Sequence, residues 1–582
     1  MPPKTDPYAT KLHRRVDLVL LVLIIALVAI LLRSSAHGQA TKIRSEWEQD
    51  WLSKDWRGER TALFYPTYHL ILQPALIAAS QAVLLPTDAT AVLWSSSGGS
   101  AWLTGSNWTG GSVPTGTQIA EFGVNPTSGA TGVGINMNGS TNNGANNQAV
   151  GAIYVDSNRT AALIIGNSSA TANGTLTLSG VTVNSINNVV LRNNSSQLLT
   201  IRDTQGSGNK LMDLALGNAT DNIINLDSTG GVVISSIIKD ATGNHLTLAG
   251  AGSGTLTLSG ANTYTGGTTV NSATLKLSGS GTLGSTSGSL TVNGGTIDLN
   301  GTNQTVGALS GGTSGLIRNT SSTTPSTLVV GNGGGSGTYN GQIALNVGTT
   351  LHLIKSGGGT ETLTNNNSYT GTTTINGGTL ELANASGVAL SGTSSVTVNN
   401  AGTLLFSQND QINQATFPGI TLNGGEIDAG GKSQGTGGMS TITPGNVGLG
   451  ALTLTSNSTI DLSSISVLHF ANSNGNAWTG TLSILNWNGT ATTGGGSEQI
   501  LFGTNVTGLT TMQLTQVQFI DPAGFIPGTY GAIWALDGTG EIVPTLAPIP
   551  EPSTWIAAAL AMGALGWTQL RRFRFKKLTA EI

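Results

Sequence analysis

Glu426 and Asp428 form the only close pair of carboxylates in the strand-forming part of this sequence. Alternate residues of a β-strand share a face, so the pair could offer a general acid and a general base to one bond. Glycoside hydrolysis needs two carboxylates flanking that bond; acids at i and i+2 on one strand are more simply solvated surface charge, and that is the reading adopted here. Asp203, Asp213, Asp221 and Asp227 are spaced as solvated loop acids. The six histidines, at 13, 37, 69, 245, 352 and 469, form no metal-ligand spacing, and there is no cysteine to supply a thiolate. No G-x-x-x-x-G-K-[ST] segment and no G-G-x-G-x-D repeat occurs. The expectation is a protein that is not an enzyme, with no cofactor and no metal; a glycan-degrading enzyme is the rival class.

The composition points the same way. Of 582 residues 24 are basic and 28 acidic, so 9% are charged, against roughly 25% in an ordinary soluble domain. Residues 61–540 carry 9 of the basic and 18 of the acidic groups. A body so poor in Lys and Arg cannot neutralise a phosphate backbone, which excludes nucleic acid as a partner. Glycine, at 83 residues, is about twice as frequent as usual.

Charge and apolarity gather at the ends. Lys11, Arg14 and Arg15 precede an unbroken apolar run from Leu18 to Leu32, and a small-residue stretch through Ala36 to Ala40 follows. That order predicts an export signal over 1–40. Residues 41–85 read as a linker holding a second apolar stretch, Thr61 to Leu85, which could itself be the signal if translation starts later.

At the other end, Pro550, Glu551, Pro552, Ser553 and Thr554 lead into an apolar stretch ending at Leu570, and Arg571, Arg572, Arg574, Lys576 and Lys577 close the chain. Ser553 to Leu570 would make a helix of about 27 Å, close to the hydrocarbon thickness of about 30 Å. The basic tail would stay on the cytoplasmic side. This segment, 544–582, resembles the PEP-CTERM sorting signal of Gram-negative bacteria. The resemblance implies processing at Pro550-Glu551-Pro552 by an exosortase, a membrane protease, and an association with exopolysaccharide or biofilm matrix. It also implies a membrane-held intermediate before the protein reaches the cell surface or matrix.

Between the ends, short alternating strands recur. Gly254-Thr255-Leu256-Thr257-Leu258-Ser259-Gly260 repeats Gly174 to Gly180, and pairs such as Leu275/Leu277, Leu380/Leu382 and Val396/Val398 keep a period of two. That period is a half-buried strand, and the Gly and Asn clusters between strands supply tight turns. No helical pattern intervenes. The fold class expected is all-β, a parallel β-helix whose coils of roughly 20 residues stack on one another, with apolar helices at both termini. The boundaries read as an N-terminal cap over 86–130, a β-helix over 131–470 and a C-terminal cap over 471–543.

The sharpest repeat covers 254–277 and 361–382. Both units share N-x-Y-T-G-x-T-T-[VI]-N followed by T-L-x-L, with Tyr264 and Gly266 in the first and Tyr369 and Gly371 in the second. The tyrosines read as packing or turn-edge aromatics rather than ligand platforms. These units resemble the autotransporter-associated β-strand repeat of secreted surface proteins, which implies a right-handed parallel β-helix. Autotransporters end in a membrane β-barrel, whereas this sequence ends in an apolar stretch and a basic tail, so self-translocation is not expected. The combined expectation is an exported surface or matrix protein; a polysaccharide-degrading β-helix enzyme and a surface adhesin are the alternatives.

Overall fold

The structure is a computed structural model that describes residues 88–549, apart from 96–101, 124–131, 137–145, 168–172, 205–210, 219, 242, 345–347, 413–417 and 436–447, together with 559–569 and 571. The expected export signal and the linker to residue 85 lie outside the described residues. So do Pro550, Glu551, Pro552, Ser553, Thr554, Arg572, Arg574, Lys576 and Lys577. Residues 559–569 are helical and exposed, as is Arg571. No helix among the described residues is long and apolar enough to cross a membrane.

From residue 88 the chain winds as a stack of parallel strands with three faces. Face I begins as a ten-stranded sheet running from Ala91–Leu93 to Leu309–Ser310 and resumes as a second ten-stranded sheet from Gly337–Tyr339 to Ile542–Pro548. Face II is a nine-stranded sheet ending at Gln342–Ile343, after which Asn367, Leu390 and Ile412 continue it as single parallel bridges. Face III has four strands up to Ile238–Asp240 and seven more from Gln304–Thr305 to Leu452–Ser456. The chain visits I, II and III in turn. Leu275 pairs with Ile297 and Leu290 with Leu309, so neighbouring coils take 22 and 19 residues. This is a parallel β-solenoid.

Alternation builds its core. Leu256 and Leu258, Leu275 and Leu277, Leu380 and Leu382, and Val396 and Val398 all point inward and are fully buried. Each contributes about 1.5–3 kcal/mol by leaving water, and each stacks on its counterpart one coil away, as Leu256 does on Leu275. The intervening Thr257 and Lys276 face outward.

Aromatic residues gather at the two ends of the stack. Trp94, Trp102, Trp108 and Phe122 form one cluster, with Trp94 and Trp108 edge to face at 5.0 Å. At the far end Phe470 stacks on Phe502 at 5.2 Å, and Trp487 meets Phe519 and Phe525. A short helix, Thr511–Thr515, is closed by a capping box between Thr510 and Gln513. The last two strands, Thr529–Trp534 and Ile542–Pro548, are antiparallel to their neighbours. Residues 544–548, read as the start of the C-terminal segment, thus belong to this hairpin. Pro544 and Pro548 lack the N–H needed to pair a further strand, which blunts the sheet edge.

Three of the four acids read as loop residues are placed otherwise, while Asp227 follows strand Asp221–Leu226 in a loop. Asp203, Asp213 and Asp221 lie on strands. Asp213 pairs with Lys239 at 2.6 Å and Asp227 with Arg192 at 2.5 Å, while Asp221 accepts a hydrogen bond from Thr247 at 2.6 Å. Parallel coils bring side chains from 26 to 35 residues away into register, which spacing along the chain does not reveal.

Candidate functional site

The repeat motif is the most specific signal in the body, and the structure turns its leading Asn and its Tyr inward. Tyr264 and Tyr369 are fully buried. Thr268 donates its hydroxyl hydrogen to Leu283 O at 3.1 Å, so Tyr264 Oη donates to Thr268 Oγ1 at 2.6 Å. In the second unit Tyr369 Oη lies 2.7 Å from Thr373 Oγ1, which in turn lies 2.9 Å from Thr393 Oγ1. Burial pushes both phenols well above their ordinary titration range. No ligand can stack on either ring.

Sequence reading left the leading Asn of the motif without a role. Asn262 Oδ1 accepts from Ile238 N of the coil before at 2.9 Å, and its amide donates to Thr282 O of the coil after at 2.8 Å. Asn367 repeats this with Ile343 N at 2.9 Å and Ala389 O at 3.1 Å. Each Asn therefore pins three consecutive coils through otherwise orphaned backbone groups. The signal was present as the shared N of N-x-Y, but only the stacking shows what it bonds.

Gly266 and Gly371 sit where coils touch. A Cβ on Gly266 would meet the backbone of Gly243 and Asn244, and one on Gly371 that of Leu351 and His352. The two units do not occupy the same faces. Thr255–Leu258 lies on face II, Asn262 beside face III and Gly267–Val270 on face I; Thr360–Leu363, Asn367 and Thr373–Ile375 each lie one face earlier. The motif thus specifies contacts between neighbouring coils, not a position around the axis. Replacing Tyr369 by Phe should cost about 1 kcal/mol, measured as a lowered urea midpoint, with the strand content by circular dichroism unchanged.

Glu426 and Asp428 occupy strand Glu426–Asp428 on the outer side of face I. Glu426 accepts from Thr403 Oγ1 at 3.3 Å, and Asp428 from Gly430 N at 2.8 Å and Ser463 Oγ at 3.0 Å. Asp461 lies directly beside Asp428 in the next coil. Partial burial, helped by Asp428 and Asp461, raises the Glu426 carboxyl above its usual range. All these acids project from one flat sheet, so no second carboxylate faces Glu426 across a bond to be cleaved. Among the described residues no group of three or more His, Asp or Glu is placed to hold a metal.

Lys355 and Glu361 are ionisable residues that are fully buried. Lys355 takes an inward position on strand Leu351–Lys355, and its ammonium donates to Ser356 O, Gly357 O and Gly377 O at 2.8–3.1 Å. Three N–H donors meet three carbonyls. Glu361 stands where Leu256 stands in the first repeat. Its Oε2 accepts from Leu309 N at 3.3 Å, reaching past Gly337, and Oε1 is buried without a partner. Burial pushes its carboxyl up to about 8, against the pull of Leu309 N–H and Lys355. The change from T-L-T-L to T-E-T-L was the visible signal.

Two segments of the body are similar to a known repeat. The family described as passenger-associated-transport-repeat matches residues 251–277 and 353–382, the two segments that carry Asn262 and Asn367. An adhesin autotransporter, BmaC of Brucella suis biovar 1 (strain 1330), is 34% identical over 196 residues, which is 32% of this chain and 5% of that protein. The chain thus spans about a twentieth of the length of that relative. No solved structure matches.

Proposed function

We propose that this is an exported, non-enzymatic surface protein of adhesin type, whose repeats serve the fold and whose outer faces serve contact. The observation that carries the reading is the inward placement of the repeat's Asn and Tyr: Asn262 and Asn367 bond between coils, while Tyr264 and Tyr369 are buried against Thr268 and Thr373 of their own coil. The passenger repeat and the adhesin relative support a surface role. The aromatic clusters around Trp94 and Trp487 act as end caps, because the first and last coils of a solenoid have no neighbour to cover them. The crossover between parallel strands gives the stack a right hand.

Export runs through the N-terminal apolar segment. Sorting runs through Pro550-Glu551-Pro552, the apolar stretch to Leu570 and the basic tail, with an exosortase-type protease as partner, a membrane-held intermediate and an exopolysaccharide-rich surface as destination. Cell fractionation with mass spectrometry of the mature termini tests this. The expected surface protein lacks Arg571–Lys577; a surface protein that retains them refutes the sorting step.

A further inference from the structure

The outer side of face III differs from the rest of the body. Four successive strands, Thr373–Ile375, Ser395–Asn399, Gly419–Asn423 and Leu452–Ser456, lie side by side there, in register except for a bulge between the last two after Leu422. Thr374, Thr397, Thr421 and Thr453 fall in one column, half-buried and pointing outward. Two residues further along each strand a second, more exposed column runs beside it. Asn399 donates to Asn376 Oδ1 at 2.7 Å, Asn423 to Asn399 Oδ1 at 2.9 Å, and Thr455 to Asn423 Oδ1 at 3.0 Å.

These bonds all run the same way, so Asn399 and Asn423 each use one amide hydrogen and one lone pair inside the ladder. An amide has two N–H donors and two lone pairs; the remaining donor and acceptor repeat outward at every rung, about 4.8 Å apart. None of the four strands contains a charged residue. On neighbouring face I, by contrast, Glu381, Glu426, Asp428 and Asp461 point outward.

We infer that this paired hydroxyl and amide lattice on face III is a binding surface for an extended neutral glycan lying along the solenoid axis. An acidic polymer finds no cation there and meets the carboxylates of face I. An apolar peptide finds no anchor, since no large hydrophobic residue is exposed between Leu211 and Ile465 among the described residues. A neutral polysaccharide presents hydroxyls at a regular advance comparable to the rung spacing, and each sugar can give and accept one bond per coil. The inference rests on the proposed surface role and specifies the surface and the chemical class of its partner.

The test is co-sedimentation of the full chain with microcrystalline cellulose and with chitin, beside soluble alginate as the acidic control. The expected result is binding to at least one of the neutral polymers, insensitive to 0.5 M salt, and none to alginate. Thr397→Glu with Thr421→Glu should weaken binding at least tenfold, and Thr269→Glu, on face I, should leave it unchanged. Thr397→Val with Thr421→Val keeps the side-chain shape and should also weaken it, about fivefold for each lost bond near 1 kcal/mol, with an unchanged unfolding midpoint. Absence of binding to both neutral polymers, or equal binding by the Val variant and the parent, overturns the inference. The assay uses purified protein, so it can fail while the termini experiment still shows export and sorting.

Discussion

Raising the pH from 5 to 9 should destabilise the middle of the solenoid by several kcal/mol, and Glu361→Gln should remove most of that loss. Glu361 is completely buried, and its carboxyl titrates near 8 instead of in the ordinary carboxylate range. A pKa raised on folding means that the folded state holds the proton more tightly. Its contribution is therefore complete below the unfolded value of about 4.5 and is lost as pH rises through about 8. Raising the carboxyl from 4.5 to about 8 corresponds to roughly 4–5 kcal/mol. Ionisation would leave a charged oxygen in an aliphatic core, with only the N–H of Leu309 and the more distant Lys355 to offset it. Urea unfolding at pH 5, 7 and 9 reads the slope, and hydrogen exchange at Leu309 reads the locality. Glu361→Leu, which restores the residue found at Leu256, should flatten the profile in the same way. Glu541, buried and pushed to about 7, adds a smaller slope of the same sign, which should persist in the Glu361 variants. An unchanged pH profile in Glu361→Gln would refute this account of the core.

Gly371→Ala should lower stability by about 3 kcal/mol or more. The new Cβ would press on Leu351 O and lie 2.6 Å from its carbonyl carbon and 2.9 Å from His352 N. Those atoms belong to the backbone of the preceding coil and cannot rotate away as a side chain could. Relief requires the coils to separate, which would stretch the Asn367 bridges and the Gly371 N to Leu351 O bond of 3.0 Å. Overpacking of this kind costs 1–3 kcal/mol even where neighbours can shift, and loss of interstrand bonds adds to it. Gly358→Ala is the control, since nothing lies within 4 Å of its added carbon; it should change stability by less than about 0.5 kcal/mol. Thermal unfolding of the pair of variants decides the point. Equal midpoints would mean that the motif glycine serves the turn alone and not the close stacking of coils.

Part of this architecture was open to sequence reading because it is local. The alternation of Leu256 with Leu258 requires no knowledge of neighbouring coils. What stayed hidden depends on pairing between coils of unequal length. Thr397 meets Thr421 and then Thr453 across intervals of 24 and 32 residues, so the lattice of face III has no fixed period. For the same reason Asp213 looked like a solvated loop acid, although Lys239 neutralises it from the next coil. Glu361 was hidden differently: a Glu in a Thr-rich strand looks like an outward residue until the parity of its neighbours places it inside. The carboxylates at 426 and 428 were read correctly as sharing one side of a strand, but Asp461 beside them was beyond reach, because the coil that brings it there takes 33 residues.

The account turns on the solenoid standing outside the cell with face III open to its surroundings. The chain contains no cysteine, so Asn423→Cys introduces a single reporter on an exposed position of that face. Labelling of intact cells with a membrane-impermeant maleimide should modify this cysteine as fully as labelling after lysis. Modification only after lysis would contradict the account.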